Sequence, residues 1–150
     1  MSATRTATVT WTGTLAEGSG TVSAATTGLF TDLPVSWGSR TEAPDGRTSP
    51  EELLAAAHAS CFAMALAGRL TRAGMPPEHM HVSAAVDFDK VGDAWTVTRS
   101  QLEVVATVPG MDEAAFDAEA QAAKDSCPIS RALAGNVELI VSSTLEGETA

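Results

Sequence analysis

The order of periodicities along this 150-residue chain predicts an α+β fold with antiparallel strand pairing. Three observations carry that expectation. Short stretches of alternating polar and apolar residues open and close the chain. A long run of small and apolar residues follows a helix cap near the middle. Two further alternating runs then face each other across a Val91-Gly92-Asp93 turn. The order reads β-β-β-α-β-β-α-β, with the strands grouped rather than alternating strictly with helices. That grouping argues against a doubly wound parallel sheet.

Thr6-Ala7-Thr8-Val9-Thr10-Trp11 and Gly20-Thr21-Val22-Ser23-Ala24 alternate as half-buried strands do, with Glu17-Gly18-Ser19-Gly20 as the turn between them. A third short strand is expected at Leu33-Pro34-Val35-Ser36. Arg40 to Thr48 is rich in charge, Pro and Gly, and reads as a loop. Ser49 then caps a helix that Pro50 opens, because proline fits the first helical position without losing a needed donor, and Glu52 completes a capping box. The helix should end near Arg72-Ala73-Gly74, where Gly74 supplies the C-cap and Pro76-Pro77 forbids continuation. From Leu53 to Leu70 it is small or apolar nearly all round, as suits a helix surrounded on every side. Met80–Lys90 and Trp95–Val108 form the hairpin. A second helix starts near Asp112 with Ala114, Ala115, Ala118 and Ala122 on overlapping faces; Pro128 opens another short helical turn, and Val137–Leu145 is the closing strand.

The length fits one domain spanning residues 1–150, able to bury a core. A net charge of −10 argues against nucleic acid or an anionic membrane surface as a partner, since phosphate binding needs clustered Lys and Arg. The longest uncharged stretch, Leu53 to Gly68, is short and Ala-rich for a bilayer span. Met1-Ser2-Ala3-Thr4-Arg5 leads straight into strand-like sequence, without a basic region followed by an apolar one. Two cysteines in that context fit a reducing cytoplasm, where a disulfide is transient and catalytic more often than structural.

Those cysteines are Cys61, inside the apolar helix, and Cys127, in Ser126-Cys127-Pro128-Ile129-Ser130. A cysteine in an apolar helix is either a small core hydrophobe or, if something stabilises its thiolate, a nucleophile. Cys127, just before Pro128, is placed to be the N-cap of a short helix, where the positive dipole end favours thiolate; its bland alternative is a buried inert thiol. His58 lies three residues before Cys61 on nearly the same face. It reads as a packed, hydrogen-bonded histidine rather than a thiol-activating base or a metal ligand. His79, His81 and Cys127 are its only conceivable co-ligands, and no close ligand pair of metal-finger type exists.

The stretch Thr48-Ser49-Pro50-Glu51-Glu52-Leu53-Leu54-Ala55-Ala56-Ala57-His58-Ala59-Ser60-Cys61-Phe62-Ala63-Met64-Ala65-Leu66 closely resembles the first cysteine motif of the OsmC/Ohr family, peroxidases that detoxify organic hydroperoxides. Asp125-Ser126-Cys127-Pro128-Ile129-Ser130-Arg131-Ala132-Leu133 resembles the second, and the likeness runs from Trp11-Thr12-Gly13 to the end of the chain. The resemblance implies an OsmC-like α+β fold of antiparallel sheets with a long central cysteine-bearing helix, in an intertwined homodimer. It implies Cys61 as the peroxide-attacking thiol and Cys127 as the resolving thiol, joined after attack in a disulfide that an external, lipoyl-type dithiol resets, with no metal, haem or other cofactor. Arg40 corresponds to the activating loop arginine of the OsmC branch, allowing one inserted residue, and Glu51 to the glutamate that holds it; Arg47 is the residue most easily mistaken for Arg40. The Ohr branch carries its arginine in an earlier loop, where this chain has Glu17-Gly18-Ser19-Gly20. A rival reading is a non-catalytic, stress-induced binding or scaffold protein with inert core thiols.

Helix geometry adds a consequence to that resemblance. Ten residues separate Glu51 from Cys61 on one helix, which is about 15 Å along the axis and about 80° around it. An arginine gripped by Glu51 would then hardly reach the sulfur of its own chain, so the resemblance implies sites shared between two subunits.

Overall fold

The structure, a computed structural model, describes residues 1–147. The chain forms two compact units, Met1–Leu53 and the remainder from Leu54 onward.

In the first unit, strands β1 (Thr8–Thr12), β2 (Ser19–Ser23) and β3 (Leu33–Val35) make an antiparallel sheet in that order. The β1–β2 turn closes with Gly18 N–H donating to the Thr14 carbonyl at 2.8 Å, so β2 already begins inside the segment expected to turn. Gly20 is in the strand opposite Trp11, where a Cβ would meet the Thr10 carbonyl oxygen and the Trp11 ring, both at 2.8 Å. Only glycine fits that close approach. Strand β1 is exposed along its whole length, so its alternation does not mark a buried face within this chain.

Arg40 was expected in a loop; it sits instead in a short helix, α1 (Gly38–Thr41). Paired serines build the turn: Ser39 N–H donates to the Ser36 hydroxyl at 3.1 Å, and the Ser39 hydroxyl reaches the Thr48 carbonyl at 2.9 Å. Such side-chain-to-backbone bonds substitute for helix propensity, which Gly38 and two serines lack. The long helix α2 (Pro50–Arg72) then starts as expected, with Glu52 N–H donating to the Ser49 hydroxyl at 3.1 Å. Its capping box is half formed, because the Glu52 carboxylate accepts from the Thr48 hydroxyl.

From Leu54, α2 belongs to the second unit. His58, Phe62, Leu66 and Leu70 recur every fourth residue and are wholly buried, whereas Ala56, Ser60 and Met64 on the opposite line are exposed. Within one chain the helix is therefore covered on one side only. With 23 residues it is also long and apolar enough to cross a membrane, which the uncharged stretch alone did not suggest. Its buried stripe is instead part of the core, where each large side chain contributes roughly 1.5–3 kcal/mol.

The hairpin of β4 (His79–Val91) and β5 (Ala94–Thr107) turns at Gly92, whose φ of 60° suits glycine. Met80, Val82 and Ala84 of β4 pack against the core, and Ser100, Leu102, Val104 and Ala106 of β5 are buried in strict alternation. A β-bulge at Asp87/Phe88 shifts the register toward the hairpin tip. Helix α3 (Glu113–Ser126) is capped by the Asp112 carboxylate, which accepts from Ala115 N–H at 2.8 Å. Its buried face is Phe116, Ala120 and Ala123, because burying its one aromatic side chain sets the helix rotation. Helix α4 (Pro128–Leu133) follows, and then β6 (Glu138–Leu145).

Strand β6 pairs parallel to β5, so the second sheet is mixed rather than antiparallel. The two helices between these strands carry the chain back along the sheet, and a strand entered that way runs in the direction of its predecessor.

Candidate active site

Cys61 on α2 and Cys127 between α3 and α4 are separated by 66 residues in sequence, yet their sulfurs lie 3.1 Å apart and share a thiol hydrogen bond. Both cysteines are free, Cys61 partly accessible and Cys127 buried. Local structure explains the approach. Cys61 stands one position before Phe62 of the buried stripe of α2 and packs against the core. Cys127 ends α3, with its N–H bonded to the Ala123 carbonyl at 2.8 Å, and stands at the N-cap of α4.

The two thiols differ in acidity. Burial pushes Cys61 up, its hydrogen bond with Cys127 adds to this, and the Ile129 amide only partly offsets them. Burial is the largest influence on Cys127 too, and it also pushes upward. There the Ser130 amide, the Cys61 thiol, the Ser130 hydroxyl and the Ile129 amide outweigh it, holding Cys127 below its ordinary value. The Cys127 side chain makes no cap hydrogen bond to α4.

His58 is fully buried, with Nδ1 2.6 Å from the Ser100 hydroxyl and Nε2 2.8 Å from the Ser130 hydroxyl. It is thus a hydrogen-bonded core histidine. His79 and His81 lie exposed on β4. Among the described residues no group of three or more His, Cys, Asp or Glu side chains is placed to hold a metal ion. Burial lowers the His58 pKa, which links the fold to pH. Above about pH 6.5 the ring is neutral folded or unfolded; below it the unfolded chain takes up the proton first. Stability should therefore fall with acidification, by up to about 1.4 kcal/mol per pH unit, until the folded ring also titrates. Denaturant midpoints at pH 7.5 and 5.5 (about one unit either side of the free ring's value) should drop more for wild type than for His58→Gln; equal drops would remove His58 from the linkage.

In the first unit, Arg40 and Glu51 form a two-pronged pair. Arg40 Nη2 is 2.7 Å from Glu51 Oε1, and Nε lies 3.2 Å from both carboxylate oxygens. The Arg40 guanidinium also stands 5.5 Å from the Trp37 ring centre. Glu51 is buried in the first turn of α2, whereas Arg47 makes an exposed pair with Asp45 at 3.2 Å. Val9, Trp11, Leu15, Val35, Trp37 and Leu53 line an apolar hollow of about 340 Å³ into which Arg40 opens. Phe62 is a core residue, and Trp37 supplies the ring beside Arg40.

Sequence reasoning did not connect Ser100 and Ser130 to His58. A signal existed in β5, where Ser100 falls in the inward phase with Leu102, Val104 and Ala106 and is the one polar residue among those four. Ser130 lay within a quoted motif but had no visible partner, since 72 residues separate it from His58.

Known proteins resemble the chain in sequence and in fold. It is 40% identical over 129 residues to the peroxiredoxin OsmC of Escherichia coli K12, covering 86% of this chain and 89% of that protein. It is 30% identical over 94 residues to the organic hydroperoxide resistance protein of Xanthomonas axonopodis pv. citri, covering 61% of this chain and 63% of that one. Crystal structures with the same fold include an organic hydroperoxide resistance protein from Elizabethkingia anophelis (TM-score 0.73, 24% identity, 97% of this chain and 100% of that one). OhrB of Bacillus subtilis is another (TM-score 0.70, 24% identity, 93% and 98%). Residues 43–142, which span both cysteine motifs, match the family of OsmC-like proteins. With that match over most of its length and the 40% identity to the Escherichia coli protein, the chain belongs to the OsmC-like family.

Proposed function

We propose that the chain is a cysteine-based peroxidase that reduces organic hydroperoxides to alcohols, working as a homodimer in a reducing, cytoplasmic setting. The observation that carries this reading is the 3.1 Å contact between two free thiols. Inert core cysteines have no reason to meet, whereas a nucleophile and its resolving partner must. The partly accessible sulfur, Cys61, is the one a peroxide can reach, and the buried Cys127 waits behind it.

In the first step the Cys61 thiolate attacks the distal peroxide oxygen. The O–O bond breaks, the alkoxide leaves and is protonated to the alcohol, and Cys61 becomes a sulfenic acid. In the second, the Cys127 thiolate attacks the Cys61 sulfur; an S–S bond forms, the S–O bond breaks, and hydroxide leaves as water. An external dithiol of lipoyl type then exchanges with the disulfide and restores both thiols. Neither step calls on a metal or an organic cofactor.

Cys61 needs help to ionise, since burial and its bond to Cys127 push it up. We assign that help to Arg40, aimed by Glu51 and supplied across a two-fold axis by the second subunit. The apolar character of the site residues' surroundings favours alkyl or fatty-acid hydroperoxides over hydrogen peroxide. The acidic chain is given no nucleic-acid or membrane partner in this scheme.

Thiol titration tests the reading. One equivalent of cumene hydroperoxide per chain should remove both titratable thiols within the mixing time of a manual assay, and a dithiol should return them. Retention of both thiols after that treatment would favour the scaffold reading instead.

A further inference from the structure

The thiol contact between α2 and the N-cap of α4 is accompanied by a second contact one helical turn away. His58 stands three residues before Cys61 on α2, and Ser130 three residues after Cys127 on α4. Residues at that spacing are neighbours on a helix surface. His58 Nε2 lies 2.8 Å from the Ser130 hydroxyl, alongside the 3.1 Å contact of the two sulfurs. Ser100 of β5 fixes the ring from its other side, with its hydroxyl 2.6 Å from Nδ1. All three side chains are buried, Ser130 at 1% exposure and the others at none. A neutral imidazole offers one donor and one acceptor nitrogen, so it can bond both serine hydroxyls at once. Ser130 is also the one buried residue within the six of α4, where Ile129 packs half-buried against the core and Pro128, Arg131 and Ala132 are exposed. Burial of an apolar face ordinarily fixes a helix in place. Here the buried anchor is a hydrogen-bonded hydroxyl.

We infer that His58, fixed by Ser100 and bonded to Ser130, is a clamp that sets α4 against α2 and so keeps Cys127 within reach of Cys61. One contact would leave α4 free to pivot about the sulfurs; two contacts a turn apart fix its direction as well. To form a disulfide the sulfurs must close from 3.1 Å to about 2.05 Å. So short a closure needs both elements already in place, and a misplacement of about 1 Å can cost roughly a hundredfold in rate. The clamp supplies in advance an ordering that disulfide formation would otherwise require. His58, Ser100 and Ser130 are positioning residues, and none of them makes or breaks a bond. The clamp's purpose rests on the peroxidase reading, in which Cys127 supplies the electron pair of the S–S bond and hydroxide leaves Cys61. Its effect on the thiol–disulfide equilibrium does not rest on that reading. Ser126, next to Cys127, provides a contrast, because its hydroxyl bonds the Ala122 carbonyl of its own helix at 2.9 Å.

The test needs no peroxide: it is the equilibrium of the two thiols with oxidised dithiothreitol, read by thiol titration after an acid quench. In that exchange the protein gives up two electrons and two protons, and the cyclic disulfide takes them up. Ser130→Ala should lower the equilibrium constant for the Cys61–Cys127 disulfide by roughly three- to tenfold, the range of one hydrogen bond. At the upper figure the reduction potential rises by about 30 mV. Ser130→Thr, which keeps the hydroxyl, should stay near the parent, and so should Ser126→Ala. Ser100→Ala, which frees one side of the ring, should fall between the parent and Ser130→Ala. An unchanged constant in Ser130→Ala overturns the clamp, and so does an equal loss in Ser126→Ala or in Ser130→Thr. A lowered constant with threonine rescue, in a protein that consumes no peroxide, keeps the clamp and removes its assigned purpose. If Ser130→Ala does not fold, Ser100→Ala decides by the same reading.

Discussion

Cys61→Ser should lose peroxide consumption by at least about a thousandfold, the scale on which removal of an enzyme's nucleophile is felt. Cys127→Ser should still react once. The difference follows from the placement of the two sulfurs, since Cys61 is partly accessible and Cys127 is buried against it. Without a resolving thiol, Cys61 should accumulate as sulfenic acid and then over-oxidise to sulfinic acid with excess peroxide. Mass spectrometry after one equivalent and after ten would separate the two variants. A single-turnover rate in Cys61→Ser equal to wild type would end the assignment, and so would a Cys127→Ser protein that never gains oxygen. The greater acidity of Cys127 sharpens this experiment: were acidity rather than access decisive, oxygen would appear on Cys127 in the Cys61→Ser protein.

Arg40→Ala should be the next most damaging change. A cation beside a thiol favours its charged form, so removing it raises the Cys61 pKa by roughly one to three units. Below the new pKa the thiolate population, and with it the oxidation rate, should fall by about ten- to a thousandfold; at alkaline pH, where thiolate forms unaided, the deficit should shrink. Arg40→Lys should rescue poorly, because an ammonium cannot reproduce the two-pronged pair with Glu51. Arg47→Ala, which removes only an exposed pair with Asp45, should stay close to wild type. Damage from Arg47→Ala with a harmless Arg40→Ala would reverse the assignment. Mixing Glu51→Ala with Cys61→Ser chains extends the test to the dimer. With shared sites, each heterodimer has one site carrying both lesions and one carrying neither, so activity should recover on subunit exchange. No recovery despite verified exchange would return both residues to the same chain's site.

Much of this architecture was open to reading from residues close together in sequence. The start of α2 at Ser49-Pro50, its end before Gly74, the β4–β5 turn at Gly92 and the Asp112 cap depend on neighbours within a few positions, where propensity and capping chemistry act directly. The cysteine motifs and their order were likewise visible, and with them the OsmC-like family. What depended on distant partners was not. The α1 turn around Arg40 is held by Ser39 reaching Thr48, the rotation of α3 by burial of Phe116, and the parallel entry of β6 by the path of two helices. His58 could be recognised as hydrogen-bonded from its apolar surroundings, but Ser100 and Ser130 could not be named as its partners. Hydrogen bonds across 42 and 72 residues leave no local periodicity, because they are selected by packing three elements together. The sequence alone thus determined the helix caps, the turns and the places of the two cysteines; the tertiary structure decided which side chains surround each sulfur. Acidity at that site is a property of those surroundings, and no single segment of the chain contains them.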